Sequence, residues 1–390
     1  MKIANFRVQN FRSLRDVTVP GLKAGNVFHG ANNSGKSNIL LALKTIFSPK
    51  LEIVEASPPG EPPLRSERPT PFWYGQIKEF AGNFYMDTHD SINFSLTISQ
   101  SQQELGTLPN AEILTPLLAA GHDVRINLSG RIERNGDEGT MFLDLVRING
   151  KVALVRSSTG VEYLPKIQDA HENKMNLVRA LLDSFTDAVS VIPSTRFLIE
   201  ESSKESATEG TLPALTATTF KNWLQGQSLS RDGYETFMTI KRWFNEPPFT
   251  YGELSFLKSR DVLEIMVDDR SGYRMPIEAK GTGVQQILIL LSFIAQSNAK
   301  IICVEEPELN LSFVNQDAVV NKLMSFVLAP VNGPFQLLLS SHSDHIGSRT
   351  DLQQYHVSQD GTGTSVRRFT SADRGLLFPR SRGKRPVTLI

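Results

Sequence analysis

The chain has 390 residues, with 41 Lys and Arg set against 41 Asp and Glu, so its formal net charge at pH 7 is zero. A hydrophobic content of 40% supports a sizeable core and excludes global disorder, while the charge balance excludes a uniformly basic coat, though not a local basic patch. The single cysteine, Cys303, excludes a disulfide framework or a zinc site of several thiolates and fits a reducing compartment.

The opening MKIANFRVQNFRSL lacks the apolar core of a secretory signal. The longest apolar run, Ile287 to Ala295, is broken by Ser292 and is too short for a membrane span. A soluble, cytoplasmic, globular chain with no membrane contact is therefore expected. Ile3, Phe6, Val8 and then Leu14, Val17, Val19 predict a half-buried hairpin. Lys23 to Phe28 predicts a strand, and Ile39 to Leu43 a buried helix. Residues 57–71 are dense in proline and read as a loop or an inserted excursion. Strands are predicted around Ile92 to Ile98, Val124 to Leu128 and Phe142 to Ile148. Asn149-Gly150 should turn the last of these into Val152 to Val155.

Asn176 to Val189 has a helical pattern that ends in a short strand, Val189 to Ile192; Glu200 to Gly210 reads as a linker. Phe220 to Phe244 is mostly helical, and its aromatic and apolar residues fit a local core better than a partner groove. A strand over Val262 to Val267 turns at Asp268 to Gly272, so Asp268-Asp269 reads as a turn rather than a metal-binding pair. An apolar helix over Gly283 to Ala295, a buried strand over Ile301 to Val304 and a helix over Asn315 to Leu328 follow. Phe335 to Leu339 predicts another buried strand, and a β-pair flanks Gly361-Thr362-Gly363. The tail beyond Arg367 is basic and reads as a solvated terminus or as an arm for nucleic acid or an acidic partner.

Gly30-Ala31-Asn32-Asn33-Ser34-Gly35-Lys36-Ser37 satisfies G-x-x-x-x-G-K-S between a predicted strand and a predicted helix. Its backbone N–H groups, with the helix N-terminus at Gly35 to Asn38, suit phosphates; Lys36 suits β- and γ-phosphate oxygens, and Ser37 suits Mg²⁺. Glu305 and Glu306 end the Ile301 to Val304 strand, where ligands of α/β sheets gather. Side chains alternate along a strand, so the two acids should have different roles, with Glu305 as Mg²⁺ partner and Glu306 polarising the attacking water. Gly281, Thr282, Gly283 and Gln285 stand at a helix start, either as a phosphate-approaching loop or as an ordinary glycine turn. His342, just past a strand, could donate to a γ-phosphate or be purely structural.

These elements, in this order, resemble the ATP-binding-cassette type of ATPase head found in the SMC, RecF and overcoming-lysogenization-defect families. Asn10-Phe11-Arg12-Ser13-Leu14 resembles the start of those heads and adds Arg12 to the ATP-binding set of Gly30, Asn32, Asn33, Ser34, Gly35, Lys36, Ser37 and Asn38. Glu305-Glu306-Pro307-Glu308 is similar to the Walker B of the lysogenization-defect clade, Gly281 to Gln286 to its signature loop, and His342 to its switch histidine. The chain departs from transporters, with Gly281 at the signature serine, no aspartate at Asn310 to Ser312, and only Gln76 in a region that suits the Q-loop.

The resemblance implies an α/β P-loop NTPase of the ABC-ATPase-head type, with a mixed central sheet, an antiparallel β-subdomain and an inserted helical region. The expected division is an N-terminal lobe over 1–170, a helical insert over 171–255, a C-terminal lobe over 256–366 and a basic tail over 367–390. It also implies ATP and Mg²⁺ sandwiched in a homodimer or a higher oligomer, with the signature loop acting in trans and with slow hydrolysis that depends on dimerisation. Glu306 and His342 would be catalytic, and Ser37 and Glu305 would hold the metal. Few residues follow His342, so a nuclease under its control is expected on a separate chain. Stand-alone heads of this kind resemble ATPase subunits of Septu-type, PARIS-type and retron-associated anti-phage systems, whose partner is an HNH or Toprim-family effector or a toxin. The alternative is a RecF-like or SMC-like DNA-binding ATPase of repair or replication.

Overall fold

The computed structural model describes residues 1–48, 52–53, 73–77, 91–101, 123–135, 138–157, 160–163, 181–194, 217–259, 262–269, 271–328 and 336–369. The proline-dense 57–71 stretch, the 200–210 linker and the basic tail beyond Phe369 lie outside the described residues. The chain divides into two units. The first comprises 1–191, 299–303 and 327–390, and the second 192–298 and 304–326.

The first unit opens with a hairpin, β1 (Lys2–Phe11) and β2 (Leu14–Pro20), and then β3 (Gly25–His29), α1 (Lys36–Phe47), β4 (Glu52–Ile53) and β5 (Trp73–Ile77). Next come β6 (Ser91–Gln100), β7 (Val124–Asn135), β8 (Glu138–Ile148), β9 (Lys151–Ser157), β10 (Gly160–Tyr163) and β11 (Val189–Ile192). A nine-stranded sheet has the order β10-β9-β8-β7-β6-β1-β2, with β5 also pairing β8 and β4 pairing β5. Its pairings are antiparallel. Alternation decides its faces. Phe6, Val8, Val17, Val19, Phe94, Leu96, Ile126 and Leu128 point inward with Ile39, Leu40 and Leu43 of α1 in one core, while Arg7, Thr18 and Ser95 point outward. Each fully buried aromatic or aliphatic chain contributes roughly 1.5–3 kcal/mol. Asn149 (φ 48°) and Gly150 (φ 80°) form the expected two-residue turn between β8 and β9.

The helical pattern of residues 176–189 is cut short. Within the described part, only 181–183 are helical, and Asp187 (φ 54°) turns the chain and donates its N–H to Phe47 O.

The second unit contains α2 (Ala217–Leu229), α3 (Tyr234–Asn245), β12 (Glu253–Ser259), β13 (Val262–Asp268), β14 (Arg274–Pro276) and α4 (Thr282–Gln296). The chain then runs through β15 (Ile301–Glu305), which begins in the first unit, and α5 (Phe313–Leu328). Phe220, Leu224, Phe237 and Phe244 are buried, and Phe237–Phe256, Phe244–Tyr251 and Trp243–Phe326 are ring contacts, so the aromatic residues of this region build a local core.

Back in the first unit, β16 (Gln336–Ser341), β17 (Gln353–Asp360) and β18 (Gly363–Arg368) complete a six-stranded sheet of order β11-β15-β16-β3-β17-β18. Its centre is parallel, β3 lying between β16 and β17, and its β17–β18 edge is antiparallel. Buried Gln336 joins the two sheets. Its Oε1 accepts from Ile3 N at 2.8 Å, and its Nε2 donates to Ile3 O at 2.8 Å and Lys23 O at 2.9 Å, so the carboxamide stands in for a peptide group. Replacing Gln336 with Leu orphans both groups of Ile3. The expected loss of unfolding free energy is about 2–4 kcal/mol, read as a lower urea midpoint; an unchanged midpoint would show that Ile3 finds other partners.

Candidate functional site

Within the first unit, β3 delivers the chain into the glycine-rich loop. Phe28 is buried and stacks on Tyr355 at 5.2 Å, which fixes the strand end. A side chain at Gly30 would run into the Val357 carbonyl, and one at Gly35 (φ 97°) into the Thr364 hydroxyl. Asn33 (φ 61°) takes the left-handed conformation that Asn tolerates. The loop therefore wraps closely over the β17–β18 hairpin. Lys36, only 6% exposed, folds back beneath it and donates to Gly30 O at 2.9 Å and Ala31 O at 2.7 Å. Asn32, Asn33 and Ser37 are exposed, and Ser34 is buried.

A chain of hydrogen bonds ties this loop to residues far away in sequence. Asn38 Nδ2 donates to Ser13 Oγ at 2.8 Å, Ser13 Oγ lies 2.7 Å from Thr364 Oγ1, and Thr364 donates to Ser34 O at 3.2 Å. Thr364 has one hydroxyl proton and gives it to Ser34, so Ser13 must donate to Thr364. Thr364 N also donates to Ser13 O at 2.9 Å. Arg12 (φ 49°), exposed at the tip of the β1–β2 hairpin, is held one residue from this anchor. Neither Ser13 nor Thr364 is singled out by a motif. The Thr364–Ser34 bond spans 330 residues and leaves no local signal.

The end of β16 is in register with the end of β3: Ser340 pairs with Phe28, and Ser341 with His29. His342 therefore leaves β16 where the chain on β3 enters Gly30, at the carboxyl edge of a parallel pair. Ser341 Oγ accepts from Ser343 N at 3.0 Å, and Ser343 Oγ caps the turn Asp344–Gly347. His342 is exposed. His29 is largely buried, with its Nε2 3.3 Å from Asp344 Oδ1. Burial pushes the His29 pKa down, partly offset by Asp344.

The second unit holds the remaining residues. Glu305 closes β15 half-buried, its Oε2 accepting from Ser194 N at 3.3 Å. Glu306 has φ 43°, a left-handed backbone costly for a side chain of its kind, and begins a pair of turns in which Leu309 N donates to Glu306 O and Leu311 N to Glu308 O. Such outliers cost of order 1–3 kcal/mol and persist where the surroundings hold them. Gly281 (φ 90°) and Thr282 are exposed at the start of α4, which has no side-chain cap. Gly283 packs against the Asn310 carbonyl, so the signature-type loop and the turns after Glu306 meet within this unit. Gln285 donates to Gly281 O through its backbone and approaches Glu278 O through its side chain. Buried Gln286, beside it, has no hydrogen-bond partner for either side-chain atom among the described residues.

Asp269 is the turn residue expected of it. Its carboxylate accepts from Ser271 N, Ser271 Oγ and Tyr273 N, which hold its pKa down at about 2. Gln76 lies in β5, backbone-paired with Thr140. Among the described residues, no cluster of three or more His, Cys, Asp or Glu gathers for a metal. No helix of the described residues is long and apolar enough to cross a membrane.

A family profile described as "AAA ATPase domain" matches residues 1–105 and 162–346. An "ATP/GTP phosphatase" of Helicobacter pylori (strain ATCC 700392 / 26695) is 20% identical over 357 residues, 87% of this chain and 85% of that protein. Among solved structures, the SMC head domain from Thermotoga maritima is 10% identical, with a TM-score of 0.44, covering 95% of this chain and all of that one. An Smc head with an extended coiled coil, bound to the C-terminal domain of ScpA derived from Pyrococcus furiosus, is 13% identical, with a TM-score of 0.48 and coverages of 98% and 99%.

The Thr364 anchor can be tested directly. Thr364→Val keeps the shape but removes both the bond to Ser34 O and the acceptor of the Ser13 hydroxyl, and should weaken ATP binding about five- to thirtyfold, the worth of one to two hydrogen bonds of ~1 kcal/mol each. Thr364→Ser should bind as the wild type. Titration with a fluorescent ATP analogue reads both, and equal affinity for Val would remove Thr364 from the loop's support.

Proposed function

This chain belongs to the AAA ATPase domain family, and on that premise we propose a dimeric, nucleotide-gated ATPase that controls a separate effector, a nuclease or toxin, in bacterial anti-phage defence. The observation that carries the hydrolytic part is the loop of Gly30 to Ser37, with its buried lysine and its anchor to Ser13 and Thr364. When bound, ATP and Mg²⁺ supply the transferable phosphoryl group and its charge neutralisation. Lys36 holds the β- and γ-phosphates in place of the loop carbonyls, and Ser37 and Glu305 serve the metal. Glu306 polarises the attacking water, and His342 senses the γ-phosphate from the strand edge. Gly281, Thr282, Gly283 and Gln285 act in trans on the nucleotide of a second copy, so that hydrolysis is slow and depends on dimerisation. The role of an effector controller in the cytoplasm rests on the resemblance of Glu305-Glu306-Pro307-Glu308 and of the signature-type loop to the lysogenization-defect clade.

A second reading, a DNA-binding ATPase of the RecF or SMC kind, is favoured by one surface. A groove of about 360 Å³ on the outward face of the nine-stranded sheet is lined by Asn5, Ser95, Thr97, Asn127 and Arg147, over an apolar floor of Leu96, Leu128 and Leu145, and by Arg7, whose guanidinium is already ion-paired with Asp16 at 2.7 Å. Its polar lining with Arg147 suits a phosphodiester backbone.

Phosphate release, ATP binding and mass with and without ATP form one experiment. Lys36→Ala should weaken ATP binding by at least about a hundredfold, as expected for loss of a charge-assisted phosphate contact; wild-type affinity would end the loop's assignment. Glu306→Gln should bind ATP normally, hydrolyse it at least about a hundredfold more slowly and accumulate as a dimer. Normal turnover would take Glu306 out of catalysis. Duplex binding that weakens steeply with salt and is lost in Arg147→Ala would favour the second reading.

A further inference from the structure

We propose that His29 is a positioning residue that couples the phosphate-binding loop to the loop carrying His342. The inference rests on the ATPase reading above. His29 is the last residue of β3, immediately before Gly30. Its ring is hydrogen-bonded to the backbone of His342, and its Nε2 lies 3.3 Å from the Asp344 carboxylate. With Nε2 turned to Asp344, the bond to His342 runs through Nδ1–H. One imidazole therefore touches both ends of the Ser343-capped turn that follows His342.

The packing around the ring is equally specific. It lies against Gly347, where an added Cβ would approach the ring carbons to 2.6 Å, so only glycine at 347 lets His29 occupy this position. The neighbouring strand places His356 opposite His29 in register, α1 contributes the Lys36 ammonium, and the Asp344 carboxylate faces Nε2. A sequence motif marks none of this, because His29 precedes the first glycine of the loop rather than lying within it.

The physical consequence is a short mechanical path. When phosphates draw on the backbone at Gly30, the displacement reaches His29, and through Nδ1–H the main chain of His342. His29 touches no substrate, and its effect is on where His342 stands. Its loss should therefore lower turnover rather than nucleotide affinity.

The test uses the full chain and four variants, with kcat, KM for ATP and equilibrium ATP affinity as readouts. His29→Ala should lower kcat about tenfold, equivalent to ~1.4 kcal/mol of barrier, with ATP affinity changed less than about twofold. His29→Asn, whose Nδ2 can stand where Nδ1 stands, should recover most of the loss. His342→Ala and the double variant His29→Ala/His342→Ala should have the same kcat, since His29 acts through His342. Unchanged kcat in His29→Ala, a loss confined to KM, failure of Asn to rescue, or additive losses in the double variant would each overturn the proposal. If His29→Ala does not fold, His29→Leu, which fills the space but donates no hydrogen bond, takes its place alone and in the His342→Ala background, with the same outcomes expected. Absence of any ATPase activity in the wild-type chain would strike the parent reading instead, so the two failures are distinguishable.

Discussion

Close backbone approach at the glycine-rich loop is the constraint on which the rest of the first unit depends. Gly30 lies where only a hydrogen fits beside the Val357 carbonyl, and Gly35 where only a hydrogen fits beside the Thr364 hydroxyl. The loop can therefore lie close on the β17–β18 hairpin, with the Gly30 and Ala31 carbonyls turned inward to Lys36. A buried ammonium is costly unless it is bonded, and the two carbonyls satisfy it until phosphates compete.

Support for that loop is distributed over the whole length of the unit. Ser13 comes from the β1–β2 tip, Asn38 from α1 and Thr364 from β18, and their hydroxyls and amide run in one directed chain to Ser34 O. Gln336 ties β16 to β1 in the same spirit, with an amide doing for two sheets what a neighbouring strand does within one. Both devices are buried polar networks, and such networks specify one arrangement because a slipped register would leave polar groups without partners. Position, more than stability, is what they supply to an anion site.

Much of this architecture was legible in the sequence. The G-x-x-x-x-G-K-S spacing, the alternation of Ile92 to Ile98 and the Asn149-Gly150 pair are local patterns, and local patterns survive in one dimension. The hairpin turn at Asp269 and the aromatic core around Phe237 and Phe244 were legible for the same reason. β12, β4 and β5 were not, since short or mixed strands carry little periodicity, and the helix expected up to Val189 ends early because Asp187 takes a left-handed turn. The partners of the loop were illegible in principle. Nothing near Thr364 or Ser13 announces an anchor, and His29 looks like any strand-end histidine until Asp344, His342 and Gly347 are seen around it.

The acidic residues follow a different logic from the loop. Glu305 ends a buried strand with its carboxylate held by Ser194 N. Glu306 does not continue that strand. Its positive φ breaks the extended backbone one residue after Glu305, so its side chain is aimed by the turn into Pro307 rather than by the pleat. A strand residue has two directions available to it, up or down from the sheet, whereas a left-handed residue at a strand end gains a third. Two adjacent glutamates can thereby fill two roles, one on the sheet's own axis and one turned out of it, with the strain borne by the bonded turns from Glu306 O to Leu311 N.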